Sequence, residues 1–155
     1  MDNYLKRLLA FNIAERFAGI EEIGGNVDNP QIMAMLKLDN AWPSNDEVPW
    51  CSGFVNYVCW LIRLPRSKDL RARSWLTIGQ GIDFGEAETG DIIVLKRGKG
   101  DQPGPDVIDA PGHVGFFAGY DTEHQLIEVL GGNQSDTVKI SRYPRSRLLG
   151  VRRLA

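Results

Sequence analysis

The period of the apolar residues changes part-way along this chain, and that change limits the fold more than any other feature. Near the N-terminus Leu5, Leu8, Leu9, Ile13 and Phe17 recur at three- and four-residue steps, which predicts an amphipathic helix over Asp2–Ala18. Pro30 suits the first position of a second helix, Gln31–Leu38. In Cys51–Leu64 the residues Phe54, Val55, Val58, Cys59 and Ile62 keep helical spacing, predicting a largely buried helix ended by Pro65. Leu70–Gly79 is expected to form a short helix with Trp75 and Leu76 facing in. After that the apolar runs become short and β-rich. Strands are expected at Asp91–Leu95, His113–Gly119, Gln125–Leu130, Val138–Ser141 and Leu148–Leu154, with a long Gly/Pro/Asp-rich loop over Lys96–Gly112 and a loop over Gly131–Ser135. Helices first and an antiparallel sheet of about five strands afterwards make an α+β domain.

Length and charge narrow the class. With 155 residues the chain is expected to form a single domain, 1–155, with no room for a separate wall-binding module. The formal net charge of −2 gives no whole-molecule basic field for nucleic acid. The C-terminal cations Lys139, Arg142, Arg145, Arg147, Arg152 and Arg153, with no acidic residue among them, read as a solvated face or a surface for an anionic polymer. No apolar run is long enough to cross a bilayer, so no membrane insertion is expected. The N-terminus lacks a basic start, an uninterrupted apolar stretch and a small-residue cleavage site, and Glu15 interrupts the one candidate segment. Synthesis in a reducing cytosol without a signal peptide is therefore expected. Two cysteines eight residues apart on one helix would be separated by about 12 Å, too far for a disulfide, so both are read as free thiols.

Only two His and two Cys are available for imidazole or thiolate chemistry. Cys51 follows Pro49-Trp50 where the helical period begins, which places it at a helix N-terminus, where the dipole and free N–H groups favour a thiolate. A small buried core residue is the competing reading. Cys59, between Val58 and Trp60, reads as core. His113 opens a strand beside the long loop, whereas His124 lies in the polar turn Asp121–His124 and reads as a surface residue. A hairpin centred near Thr122-Glu123 brings Gly132 and Asn133 opposite His113. Asn133 is then the natural group to orient the imidazole, and Glu128, opposite Phe117, is its rival. As a plain turn residue after Gly131-Gly132, Asn133 would need no such role. The Cys51/Cys59 spacing fits no zinc motif and no Walker-type loop is present, so neither a metal nor another cofactor is expected.

In order, these motifs resemble a known family. A Cys at a helix start (PWCSGFVNYV), a Gly-Asp-strand (Glu88–Val94) and Gly112-His113-Val114-Gly115-Phe116-Phe117 are similar to the papain-like cell-wall hydrolases of the NlpC and CHAP type. Ala72-Arg73-Ser74-Trp75, Leu130–Gln134 and Tyr143–Gly150 are similar to a compact subgroup common among phage lysins and prophage-encoded proteins. The resemblance runs from about Gly19 to Arg153. It implies a papain-like fold and a cysteine peptidase or amidase acting on peptidoglycan stem peptides or the amide joining them to the glycan. By the same resemblance Cys51 is the nucleophile, His113 the base and Asn133 the polar third residue. No second histidine stands on the strand Leu126–Val129, a departure from the NlpC branch. Trp50, Ser52, Gly112 and Gly132 are expected to contact substrate, in a groove between Trp50, the Lys96–Gly112 loop and the Gly131–Asn133 loop. A monomeric enzyme acting on the wall after holin-type or injected delivery is expected. An antibacterial effector of the same chemistry and a non-catalytic wall-binding or phage structural module are the alternatives.

Overall fold

The first helix, α1 (Asn3–Glu15), starts where Asp2 turns its carboxylate onto the Tyr4 N–H at 3.2 Å, and it buries Arg7, Ala10, Phe11 and Ala14. The second, α2 (Pro30–Leu36), is capped by Asn29, which accepts from the Gln31 N–H at 2.9 Å, and Pro30 occupies its first turn without losing a hydrogen bond. The third, α3 (Cys51–Leu61), is interior over almost its whole length. It ends before the expected Leu64 because Arg63 takes a left-handed φ of 57°. The Leu64 and Arg63 N–H groups then fold back onto the Cys59 and Trp60 carbonyls, satisfying the last turn without a glycine. The expected helix at Leu70–Gly79 is a tight 3-10 turn over Ala72–Thr77, with Trp75 fully buried. The structure is a computed structural model and describes residues Met1–Ala155; no helix in it is long and apolar enough to cross a membrane.

The strands are β1 (Gln80–Ile82), β2 (Ile92–Lys96), β3 (Gly112–Asp121), β4 (Leu126–Gln134), β5 (Thr137–Pro144) and β6 (Leu148–Arg153). They form one antiparallel sheet in the order β1-β6-β2-β3-β4-β5. The sheet has six strands where about five are expected. The addition is β1, three residues around Gly81 that pair with Val151–Arg153, too short to show a period of its own. A second difference is at β4. Gly131–Gln134, predicted as a loop, stays within the strand, and the register against β5 shifts between Gly131 and Gln134.

Both faces of the sheet are covered, which explains why β2 reads as a continuous apolar run and not as an alternating one. Ile92 and Val94 join a 22-residue core beneath the helices, with Phe54, Val58, Trp75, Phe116 and Leu130. Ile93 and Leu95 join a six-residue cluster on the other side, with Phe117, Ile127, Val129 and Val151. Each fully buried side chain of this size contributes about 1.5–3 kcal/mol. The larger core therefore clamps α3 against the sheet and fixes where its first residue stands.

Candidate active site

Cys51 is the first residue of α3 and is 3% exposed. No side chain caps this helix, so its first-turn N–H groups are not taken by a cap. The approach of the helix to β4 depends on Gly132. A Cβ there would stand 2.6 Å from the Trp50 ring and 2.9 Å from Phe54 Cβ, so only glycine lets the strand lie on the helix start. Burial alone pushes the Cys51 thiol up. A hydrogen bond from His113, its charge, the Val114 backbone N–H and the charge of Arg97 outweigh that and hold the thiol below its ordinary value.

His113 stands opposite Leu95 near the start of β3 and is 4% exposed. Its Nε2 lies 2.9 Å from Gln134 Oε1. The orientation of that amide is settled by its other end. Gln134 Nε2 donates to the carbonyls of Val129 and Lys139, which can only accept. Oε1 must therefore face His113, so His113 Nε2 carries a proton and donates it. Nδ1 is left for the sulfur of Cys51. Tyr143 completes the arrangement: its hydroxyl donates to the same Oε1 at 3.0 Å, and its ring lies 5.3 Å from the imidazole, tilted by 35°. Burial and the nearby Cys51 push the Tyr143 phenol up to about 12, which keeps it a donor.

The partner of His113 is thus Gln134, where the strand alternation points to Asn133. The reason is the irregularity at Gly131–Gln134. Asn133 adopts a left-handed φ of 55°, consuming one residue and reversing the parity of the next. Gln134 consequently comes onto the face that Gly131 and His113 share; a Cβ on Gly131 would meet Gln134 Oε1 at 2.9 Å and His113 Nε2 at 3.3 Å. Asn133 borders the cavity beside His113 without hydrogen-bonding it. Glu128 pairs across the sheet with Gly119 and Arg142 and lies 3.8 Å from the Arg142 guanidinium, away from His113. His124 is exposed and bonds Asp121 at 2.8 Å.

Of the residues expected to contact substrate, only Gly112 lines the groove. Trp50 is buried and donates from Nε1 to Glu22 at 2.9 Å. Ser52 is buried too, donating to the Asp69 carbonyl at 2.6 Å and accepting from Trp75 Nε1 at 2.9 Å. Gly132 is packed under the helix, as described above. On one side of Cys51 a cavity of 340 Å³ is walled by Pro49, Leu70, Arg71, Arg97 and Asp109–Gly112. A second cavity, of 400 Å³, runs past His113, Gln134 and Tyr143 and shares Arg97 with the first.

The wall formed by the loop after β2 is held from beneath. Arg73 is fully buried and donates from Nε to the Pro111 carbonyl at 3.0 Å. From Nη1 it reaches the carbonyls of Pro103, Gly104 and Val107 at 2.9, 2.7 and 3.2 Å, while Nη2 has no partner.

No family model matches the chain, and no curated protein does. Solved structures do. NlpC1 from Trichomonas vaginalis superposes with a TM-score of 0.56 at 16% identity, over 96% of this chain and 44% of that one. NlpC2 from the same organism gives 0.54 at 16% identity, over 94% and 44%. The fold is NlpC-like. At that identity the likeness is one of architecture, and the chain spans less than half the length of either protein.

Within this NlpC-like frame, sequence reasoning missed Gln134, Tyr143 and Arg97. Gln134 had a signal: two glycines followed by Asn, a residue that tolerates left-handed backbone, mark a bulge, and counting one residue further reaches it. Tyr143 had none, because its place depends on the register of β5.

Proposed function

We propose that this chain is a cysteine peptidase or amidase that cleaves an amide bond in peptidoglycan stem peptides. The observation that carries the reading is the thiol of Cys51, held below its ordinary value beside an imidazole whose tautomer Gln134 dictates. A core cysteine needs neither. In the reaction His113 Nδ1 takes the Cys51 proton, and the thiolate attacks the amide carbonyl. The Cys51 backbone N–H, at the start of α3 where no side chain caps the helix, donates to the developing oxyanion, with one further donor. His113 then protonates the leaving nitrogen as the C–N bond breaks, giving a thioester and a free amine. Water, deprotonated by His113, attacks the thioester; the acid leaves and Cys51 regains its proton. Gln134 takes the orienting role that alternation gives to Asn133, with Tyr143 fixing Gln134 in turn.

The order of sequence motifs supports a lysin-type enzyme acting on the wall. The test is Cys51→Ala against purified peptidoglycan, with products followed by mass spectrometry and the fold by circular dichroism. Loss of hydrolysis by at least about a thousandfold is expected. A folded Cys51→Ala protein that still cleaves would overturn the reading.

A further inference from the structure

The groove is electrostatically lopsided. The cavity on the His113 side is bordered by Lys96, Arg97, Lys99 and Arg147, and by no Asp or Glu. None of these four cations takes part in an ion pair. Arg147 is pinned by hydrogen bonds to the Lys96 and Gly98 carbonyls at 3.2–3.3 Å, which fix its guanidinium without neutralising it. Arg97 borders both this cavity and the one Cys51 lines, and its charge is felt at both Cys51 and Tyr143. In the cavity that Cys51 lines the balance differs. There Arg71 is paired with Asp69 at 2.6 Å and lies within range of Asp109, so that half is close to neutral.

The direction of the reaction says what departs through the cationic half. His113 must hand its proton to the leaving nitrogen, so the amine product leaves over His113 and into the cavity that His113 borders. Several uncompensated cations gathered around one cavity repel each other and attract an anion; guanidinium groups match a carboxylate in both charge and shape. We propose that this cavity, walled by Lys96, Arg97, Lys99 and Arg147, binds a carboxylate on the residue that supplies the leaving amine. Arg97, the one of the four that also borders the cavity lined by Cys51, is the specificity-determining residue. The proposal rests on the reading of Cys51 and His113 as nucleophile and base.

Two measurements on the full chain test it. The first needs no turnover: the ratio of Cys51 alkylation by anionic iodoacetate to that by neutral iodoacetamide. In Arg97→Gln this ratio falls by about fivefold, the worth of one unit charge roughly 4 Å away in a solvated cavity, and added salt erodes it in the wild type. An unchanged ratio overturns the proposal. The second compares two muropeptides identical except that the leaving residue carries either a free carboxylate or its amide. The wild type prefers the free acid in kcat/KM by about tenfold or more, and Arg97→Gln/Lys99→Gln shrinks that preference. Equal cleavage of the two by the wild type defeats the carboxylate site and leaves the enzyme reading intact. Failure to cleave either, with Cys51 alkylated no faster than Cys59, defeats the enzyme reading itself.

Discussion

Cys51 and Cys59 stand about two turns apart on one helix, both buried and both free, yet their thiols are displaced in opposite directions. Burial penalises the thiolate at each site. At Cys59 only the charge of Arg66 opposes it, and the thiol is pushed up to about 12. At Cys51 the opposition comes from His113 and the Val114 N–H in β3 and from Arg97 just after β2, and it prevails. The helix carries both sulfurs; the sheet decides which thiol is held low. The lowered thiol is therefore a property of one junction, where the start of α3 meets the ends of β2, β3 and β4, and not of the helix or of burial.

The largest effect should come from removing the imidazole. In the wild type at neutral pH, iodoacetamide should label Cys51 at least about a hundredfold faster than Cys59, read peptide by peptide in the mass spectrometer. In His113→Ala that gap should narrow sharply, by about tenfold for every unit the Cys51 thiol rises. If the gap survives without His113, the sheet is not what activates the sulfur. Next is Gln134→Leu, which keeps the volume but strands the buried His113 Nε2–H. Leaving such a donor unpaired costs about 1–3 kcal/mol, so kcat/KM should fall about 5- to 150-fold. Asn133→Gly is its control: glycine accepts the positive φ without strain, and activity should stay within about threefold. The reverse ranking would restore Asn133 as the orienting group.

Tyr143→Phe is expected to be milder. It removes one hydrogen bond to Gln134 and keeps the ring beside His113, so a loss of about 2- to 12-fold in kcat should appear, with KM little changed. The smallest effect is at Cys59, where activity should not change at all. Its signature is alkaline instability. Above about pH 8.5 the unfolded thiol ionises while the folded one does not until about 12, so the unfolded chain sheds a proton that the native state keeps, and stability falls as pH rises through that window. Denaturant titrations in this range should show a shallower decline for Cys59→Ala than for the wild type.

The period change near the middle of the chain was enough to read the α+β layout, and the positions of Cys51 and His113 followed from local pattern: a proline-led helix start and a strand opening after a loop. What escaped reading depended on single backbone residues in unusual conformations. Arg63, with its left-handed φ, shortened α3, and Asn133 reversed strand parity and exchanged one amide side chain for its neighbour. Trp50 and Ser52 were misplaced for a different reason. Flanking Cys51 in sequence suggests sharing its surroundings in space, but the first turn of a buried helix points successive side chains in different directions, and these two point into the core.

The Arg73 clip under the groove wall has a further consequence. It grips four main-chain carbonyls, the one acceptor that every residue type supplies, and so it recognises the path of the loop and is blind to its side chains. Side chains facing the groove, such as Asp109, can be exchanged while the wall keeps its position. A wall fastened in this manner can change the side chains it shows to the groove by substitutions in the loop alone, with the surroundings of Cys51 left undisturbed.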